Sequence, residues 1–308
     1  MNPPTSLLTT HPARSPNLRG DRISYGAVHL DVADLERSLS FWRDLIGLRE
    51  LGRSPDGETR LGVDAQALVV LRPGAQRPVG RGHAGLYHLA IHLPDATEFA
   101  RIVTRLAQAR VAQSPTDHIF SKATYLNDPD GILLELTLET PERFGSISIG
   151  ADAVVLTDSE GRARAGAEPL DLAAALEPLQ GGDPQRPLPS GSYIGHVHLH
   201  VPDLAAAHGF YRDVVGFDEH AFMRPIGMAD LSAGGRFPHR LALNSWHGPS
   251  ARQPAPGTAG MRRYELVLHG AGALAQLSER ARALPGHDGA LALRDPAGNA
   301  LTVIEATA

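Results

Sequence analysis

Residues 194–203 read IGHVHLHVPD, and this stretch decides the fold. Polar and apolar side chains alternate along it, which is the period of a β-strand with one face turned inward. The closing Asp203 suits the N-cap of a helix, and the following residues carry apolar side chains three and four positions apart. The segment therefore predicts a strand that leads directly into a helix.

The same pattern occurs three more times along the chain. The matching stretches are residues 25–34 (YGAVHLDVAD), 86–95 (LYHLAIHLPD) and 262–271 (RRYELVLHGA). Each is followed by a helix and short strands, and two of the repeats close with an Asp-Pro-x-Gly turn, in which Pro fixes φ and Gly supplies a positive φ. Such recurrence indicates an internal repeat. We predict an α+β fold made of four βαβββ units, numbered 1 to 4, at residues 22–73, 85–139, 193–247 and 260–306.

The four units predict two domains along the chain. Residues 1–21 contain Pro, Ser and Arg without an apolar stretch, so we expect a mobile tail and no secretory signal. The first domain covers residues 22–140 and the second residues 191–308. Residues 141–190 connect them, with a predicted hairpin at 153–165, a short helix and a Gly/Pro-rich strap.

The composition narrows the classes of function. The formal charge is −5 without a basic block, which argues against a nucleic-acid partner. No apolar run approaches the roughly 20 residues of a membrane helix, so we expect no membrane span and a cytoplasmic protein. The chain has no Cys and fifteen His. Any bound metal must therefore be held by His, Asp or Glu.

Four motifs carry a family resemblance: IGHVHLHVPDL with FYRDVVGF, GLYHLAIHLPD, YLNDPDGILLEL and HRLALNSW. Together with the paired units they resemble the vicinal-oxygen-chelate superfamily, and within it the two-domain catechol 2,3-dioxygenase group, over nearly the whole chain. The resemblance implies that two units form one cupped half-barrel with a metal in its hollow. It also implies extradiol (meta) cleavage of a small aromatic diol by O2.

The resemblance further implies where the metal ligands stand. The family's His ligand lies seven residues before the helix cap, a position held in units 1 to 4 by Ala27, His88, His196 and Tyr264. Its carboxylate ligand lies four residues after the turn glycine, where unit 2 has Glu135 and unit 4 has Thr302. Pairing unit 2 with unit 3, and unit 1 with unit 4, would bring His88, His196 and Glu135 into one cup. Pairing units 1 with 2 and 3 with 4 would complete neither site. The resulting 2-His-1-carboxylate set suits non-haem Fe(II), and Mn(II) as an alternative.

Three more residues match pocket positions of the group. The resemblance implies that Tyr125 hydrogen-bonds a substrate oxygen and that His239 is the acid–base residue, a task that suits an imidazole near neutral pH. His118 is expected near the mouth, orienting Tyr125 or the substrate. Leu241 stands where four-ligand glyoxalases carry another carboxylate, which keeps the ligand count at three.

Other interpretations remain open from the sequence. One is a glyoxalase-type metal-dependent isomerase or lyase, which would need a fourth protein ligand. Another is a non-enzymatic protein that binds small molecules on the same fold. Strand imidazoles are often only packed and hydrogen-bonded, and we read His29, His92, His198 and His200 in this way or as pocket lining. A homo-oligomer is possible, because edge strands of such cups often pair.

Overall fold

The computed structural model describes residues 20–282 and 292–306. Unit 1 consists of β1 (Ile23–Val32), α1 (Leu35–Leu39) with a π-helical extension (Ser40–Leu45), β2 (Arg49–Arg53), β3 (Thr59–Val63) and β4 (Gln66–Pro73). Unit 2 consists of β5 (Gly85–His92), α2 (Ala96–Gln108), β6 (Ser114–Asp117), β7 (Ser121–Asn127) and β8 (Leu133–Glu139).

The connection follows unit 2. It contains a 3₁₀ turn (Pro141–Arg143), β9 (Phe144–Ile149), β10 (Val154–Asp158), β11 (Ala163–Arg164), β12 (Glu168–Pro169), and α3 (Leu172–Leu176) with a second 3₁₀ turn (Glu177–Leu179). Unit 3 consists of β13 (Tyr193–His200), α4 (Leu204–Gly209) with a π-helical extension (Phe210–Val215), β14 (Asp218–Met223), a 3₁₀ turn (Arg224–Ile226), β15 (Met228–Ser232) and β16 (Leu241–Asn244). Unit 4 consists of β17 (Gly260–Leu268), α5 (Ala273–Ala281), β18 (Ala292–Arg294) and β19 (Ala300–Glu305).

Local sequence signals set the start and end of the helices. The side chains of Asp34, Asp95 and Asp203 each accept a hydrogen bond from the backbone N–H three residues later, as N-caps do. The π-helical extensions of α1 and α4 run into Gly47 and Gly216, whose φ angles are +95° and +102°. These are the left-handed conformations that end a helix and that favour glycine.

The sheets pair the units across the chain. One sheet has seven strands, in the order β18-β19-β17-β1-β4-β3-β2, and combines units 1 and 4. The other has nine strands, in the order β12-β6-β7-β8-β5-β13-β16-β15-β14, and combines units 2 and 3. The expected pairing of 2 with 3 and 1 with 4 is therefore what the structure shows. Each sheet takes one unit from either half of the chain.

The helices cover one face of each sheet and build the hydrophobic core. Trp42, Phe99 and Tyr211 lie on the helix side and are at most 1% exposed. Burial of a side chain such as Phe99 contributes about 1.5–3 kcal/mol. The two sheets meet where β1 packs against β13, and there the Tyr25 hydroxyl donates to the backbone carbonyl of Arg240 at 2.8 Å. Of the helices in the part of the chain described, none is long and apolar enough to cross a membrane.

The connection between the halves is more structured than the sequence indicated. The expected hairpin at 153–165 corresponds to β10 and β11, and β9 adds a third strand to it. Strand β12 extends the nine-stranded sheet by pairing with β6. The strap is fastened by Arg101 and Arg105 of α2, which donate to the backbone carbonyls of Asp183 and Pro184.

The folded part of the protein includes a residue that precedes unit 1. Residues 1–19 of the expected mobile tail lie outside the described residues. Asp21, which we also assigned to that tail, is 5% exposed and its Oδ2 lies 2.8 Å from Nε of Arg240. An ion pair with a buried arginine places Asp21 in the folded structure.

Candidate metal centre

The central strand pair of the nine-stranded sheet brings the candidate ligands together. Strands β5 and β13 run antiparallel, with His198 opposite His88 and His196 opposite Ala90. On the other side of β5, the parallel strand β8 places Glu135 beside the same Ala90. His88, His196 and Glu135 therefore share one face of three neighbouring strands, although they are far apart in sequence.

Two β-bulges interrupt this strand pair. Gly195 is an extra residue in β13, between the pairs Ile194–Ile91 and His196–Ala90. Tyr87 is an extra residue in β5. Bulges shift the alternation of side chains and re-aim them. The Tyr87 ring accordingly lies beside those of its neighbour His88 (5.0 Å between centroids) and of His198 (4.9 Å).

Three donor atoms form a nearly equilateral triangle. Nε2 of His88 and Nε2 of His196 are 3.1 Å apart, and each lies 3.0 Å from Oε2 of Glu135. Adjacent ligands of an octahedral ion with bonds of about 2.1 Å lie about 3.0 Å apart, whereas a tetrahedral ion with such bonds needs about 3.4 Å. The triangle fits one face of an octahedral ion and leaves about three positions open.

The charges of the three groups suit a metal. Burial by itself would raise the pKa of Glu135, but the adjacent His196 and His88 hold it well below its usual range, so the group is a carboxylate. Burial lowers the pKa of both His88 and His196, which favours the neutral imidazole that binds metals. The Thr137 hydroxyl donates to Oε1 of Glu135 at 2.8 Å and leaves Oε2 facing the two imidazoles.

His239 lies beside this triangle. It is 8% exposed, and its ring centroid is 4.6 Å from that of His196. Nitrogens of His88, His196 and His239 lie within 4.8 Å of one another, so a three-His set is a second way to describe the site. Oε2 of Glu135 lies only 3.0 Å from Nε2 of both His88 and His196, well inside the 4.8 Å that spans the three-His set. Burial would lower the pKa of His239, but Asp230, whose Oδ1 is 2.9 Å from its Nδ1, raises it above the ordinary value.

Tyr125 and His118 form a hydrogen-bonded pair next to His88. Nδ1 of His118 lies 2.6 Å from the carbonyl oxygen of Gly166, which can only accept, so this nitrogen carries the proton. In a neutral imidazole, Nε2 then accepts from the Tyr125 hydroxyl at 2.8 Å. The Tyr125 ring is 5.5 Å from that of His88. Gly166 belongs to the connection, which thus reaches the site.

A second polar chain lies on the opposite side of the triangle. Nδ1 of His200 contacts Oδ1 of Asn244 at 2.6 Å, and the Asn244 amide nitrogen contacts Nε2 of His198 at 2.9 Å. Trp246, 49% exposed, packs edge-on against Tyr87 at 5.5 Å between ring centroids. These aromatic and imidazole rings line the site from the side of unit 3.

Counting along the sequence placed two residues one position away from where the structure has them. The first is Leu241 in unit 3, and the second is Tyr264 in unit 4. Leu241 pairs with Val197 and belongs to the hydrophobic core, whereas Ala242 pairs with His198 and so takes the counterpart position of Glu135. Strand β16 begins only at Leu241, so the alternation counted from His239 does not carry into it. The conclusion that unit 3 supplies no carboxylate there is unchanged.

In unit 4, too, the residue predicted for the ligand position, Tyr264, is displaced by one. Tyr264 lies in the core, where its hydroxyl donates to that of Tyr211. The residue facing the hollow is Arg263, which stands opposite His29 as His88 stands opposite His198. The reason is a longer connection to the helix: Arg263 stands nine positions before the α5 cap Gly272, whereas His88 stands seven positions before the α2 cap Asp95.

The seven-stranded sheet holds an ion-paired cluster where the other sheet holds the triangle. Nε2 of His29 lies 2.7 Å from Oε1 of Glu265. Arg263 donates from Nη1 to the Thr302 hydroxyl at 3.0 Å and lies 3.4 Å from Glu265. The Arg263 guanidinium thus stands in this sheet where the other sheet has the imidazole of His88.

Four residues that support the triangle were not predicted from the sequence. They are Thr137, Glu139 and Asp230, which were not singled out, and His92, which was read as packed or lining. Parity could have shown three of them, because Glu135, Thr137 and Glu139 alternate on one face of β8 and His88 and His92 share one face of β5. Asp230 of β15 contacts His239, which precedes the neighbouring strand β16. Because His239 lies outside that strand, parity does not reveal this contact.

A sheet of paired βαβββ units with two imidazoles and a carboxylate on one face defines a protein of the vicinal-oxygen-chelate class. Residues 25–136 match the family model of the Glyoxalase/Bleomycin resistance protein/Dioxygenase superfamily. Over 247 residues the chain is 33% identical to a catechol-2,3-dioxygenase of Bacillus subtilis (strain 168), which covers 79% of this chain and 82% of the relative. The chain belongs to this superfamily and, within it, to the catechol 2,3-dioxygenase group, which makes it an oxidoreductase of the ring-cleaving dioxygenase class.

Solved structures agree with the fold. A putative dioxygenase from Bacillus subtilis superimposes with a TM-score of 0.58 at 12% identity, over 92% of this chain and 86% of the other. Glyoxalase I from Zea mays gives a TM-score of 0.52 at 15% identity, over 93% of either chain. At such identities the likeness establishes the architecture alone.

Proposed function

We propose that the protein catalyses extradiol cleavage of a catechol-type ring by O2 at an Fe(II) ion held by His88, His196 and Glu135. The triangle of donor atoms with edges of 3.0–3.1 Å carries this proposal. The 33% identity to a catechol-2,3-dioxygenase supports it. The same ligands accept Mn(II), which is the alternative metal.

When bound, iron supplies the electron-transfer chemistry between an adjacent diol and O2, and three protein ligands leave open positions for both. In the overall reaction, the carbon–carbon bond next to the diol breaks and both atoms of O2 enter the ring-opened product. The electrons come from the ring, so no organic reductant is required.

His239 is placed to move the protons of this reaction. Oδ1 of Asp230 lies 2.9 Å from Nδ1 of His239 and raises the pKa of the imidazole, which favours the protonated form that a general acid needs. Because its ring lies 4.6 Å from that of His196, the proton can be delivered to an oxygen in the hollow beside the triangle. We assign His239 as the acid–base residue.

Tyr125 and His118 are placed to orient the substrate. Since the Tyr125 proton is directed to Nε2 of His118, lone pairs of the phenol oxygen remain free to accept from a substrate hydroxyl. Burial raises the pKa of Tyr125 well above its usual range, so the phenol stays protonated. Tyr125 is thus assigned to substrate binding, and His118 to positioning Tyr125.

The test is direct. The protein is loaded with Fe(II) without oxygen and then mixed with catechol and air, and both O2 uptake and the yellow ring-fission product are followed. His239→Ala should keep one metal per chain and lose about 10²–10⁴-fold in kcat, as expected for removal of a general acid–base residue. Absence of product from any catechol despite full metal loading would contradict the proposal. Undiminished turnover of His239→Ala would contradict the acid–base role, and loss of metal from it would make His239 a ligand.

A further inference from the structure

We propose that His92 and Glu139 are positioning residues that fix the ring and the tautomer of the metal ligand His196. This inference rests on the proposed metal site and not on the identity of the substrate. His92 lies on the same face of β5 as His88, and Glu139 ends β8 four residues after Glu135. Both belong to the strands that carry the ligands.

A continuous chain of hydrogen bonds leads away from the triangle. Nδ1 of His196 lies 2.8 Å from Nε2 of His92, and Nδ1 of His92 lies 2.9 Å from Oε1 of Glu139. A carboxylate only accepts, so Nδ1 of His92 carries the proton and its Nε2 accepts. Nδ1 of His196 must then be the donor, which leaves Nε2 of His196 without a proton. That nitrogen is the one directed at Glu135, and a bare nitrogen is what a metal requires.

The backbone is shaped to admit this contact. Gly195 is the bulge residue of β13, and a Cβ built on it would lie 2.1 Å from atoms of the His92 ring. A residue with a side chain at this position would push the imidazole away from His196. The φ angle of Gly195 is not in the left-handed region, so the requirement is space and not conformation. The bulge thus serves the approach of His92 to the ligand.

Glu139 is itself held on several sides. Its Oε1 accepts from the Tyr193 hydroxyl at 2.6 Å and from Nη1 of Arg240 at 2.6 Å. The Arg240 guanidinium in turn pairs with Asp21, and its side chain is 2% exposed. Burial of a carboxylate is costly unless it is paired and hydrogen-bonded, and here these donors compensate. Glu139, the last group of this series of hydrogen bonds, is therefore held in place.

The two imidazole ligands differ in whether their Nδ1 atom has a hydrogen-bond partner. Nδ1 of His88 is buried and has no hydrogen-bond partner among the described residues. His196 is therefore the ligand that the protein orients, whereas His88 is held by packing. Partners of this kind behind a metal ligand are commonly worth 10–100-fold in metal affinity.

A matched pair of variants tests the inference by metal binding alone. His92→Phe keeps the ring volume and removes both hydrogen bonds of the imidazole. His29→Phe removes the buried His29–Glu265 pair of the seven-stranded sheet, an imidazole–carboxylate contact of similar length away from the triangle. Mn(II) or anaerobic Fe(II) is titrated against a chromogenic chelator, without diol or O2, and folding is checked by circular dichroism and urea unfolding.

We expect His92→Phe to weaken metal binding 10–100-fold and His29→Phe to change it less than about twofold. Gly195→Ala, which leaves every polar group in place, should weaken binding in the same direction as His92→Phe. His92→Gln offers an oxygen acceptor to His196 and should recover part of the loss. It also replaces His92→Phe in the comparison if the latter does not fold.

Equal affinities of the His92 and His29 variants would overturn the inference. So would a wild-type protein that binds neither metal. Failure of catechol cleavage, by contrast, would overturn the proposed reaction and leave this result standing, because the titration contains no substrate.

Discussion

Replacing Arg240 tests how much a buried ion pair contributes to the stability of this protein. Arg240 bridges two carboxylates, with Nε 2.8 Å from Asp21 and Nη1 2.6 Å from Glu139. The three side chains are 2%, 6% and 3% exposed. Removing one partner of a buried ion pair costs about 3–5 kcal/mol, because the remaining charge keeps its desolvation penalty. We expect Arg240→Met, which keeps the aliphatic packing, to lower the free energy of unfolding by about this amount.

The control is Arg22→Met. Arg22 pairs with Asp218 at the same short range, 2.7 Å, but the two side chains are 55% and 45% exposed. Exposed pairs contribute about 0–1 kcal/mol. The two variants therefore separate the effect of burial from the effect of distance, and urea unfolding at pH 7 measures both.

The pH dependence supplies a second criterion. In the wild type, burial raises the pKa of Asp21, while the donors around Glu139, His92 first among them, hold the pKa of that carboxyl below its usual range despite burial. Without Arg240, the folded-state pKa of Asp21 rises further above its ordinary value, whereas His92 and Tyr193 still favour the carboxylate of Glu139. A raised carboxyl pKa gives stability that is present at low pH and is lost as the pH rises through the folded-state value. The cost of Arg240→Met should thus grow from pH 4 to pH 7. A cost no larger than that of Arg22→Met, or one independent of pH, would refute the reasoning.

Two further predictions concern single carboxylates. Glu135→Gln should abolish stoichiometric metal binding, measured by equilibrium dialysis, whereas Glu265→Gln in the seven-stranded sheet should leave it intact; retention of metal by the first variant would remove Glu135 from the ligand set. Burial raises the pKa of Asp128 to about 6, so its ionisation costs stability as the pH rises from about 4 to 6. Asp128→Asn keeps the oxygen that accepts from the Asp130 and Ile132 N–H groups. Its stability relative to the wild type should therefore improve by up to about 3 kcal/mol between pH 4 and pH 7, measured by urea unfolding, and an unchanged difference would contradict this.

Much of the molecule followed from local signals in the sequence. Alternation, Asp caps and Asp-Pro-x-Gly turns act within a few residues, so the four units and their helices could be predicted from the chain itself. The pairing of units 2 and 3 also followed, because only that arrangement completes a ligand set. His88, His196 and Glu135 were found by position, and the structure brings their donor atoms to within 3.1 Å.

Other features depended on contacts that no local pattern records. The bulges at Tyr87 and Gly195 insert one residue into a strand, and from there onward the alternation of faces counted along the sequence fails. The support of His196 by His92 depends on such a bulge.

The sequence by itself determined the repeat and the caps, since each of these is set by residues within one unit, and the family resemblance pointed to the candidate ligands. Strand parity could place Thr137, Glu139 and His92 on the faces of the ligands, but only the tertiary structure decided which groups from distant segments reach the site. Asp21 reaches Arg240, and Gly166 reaches His118, across long stretches of chain. Such contacts arise because packing of the sheets fixes the positions of distant segments, and burial then makes an unpaired polar group costly.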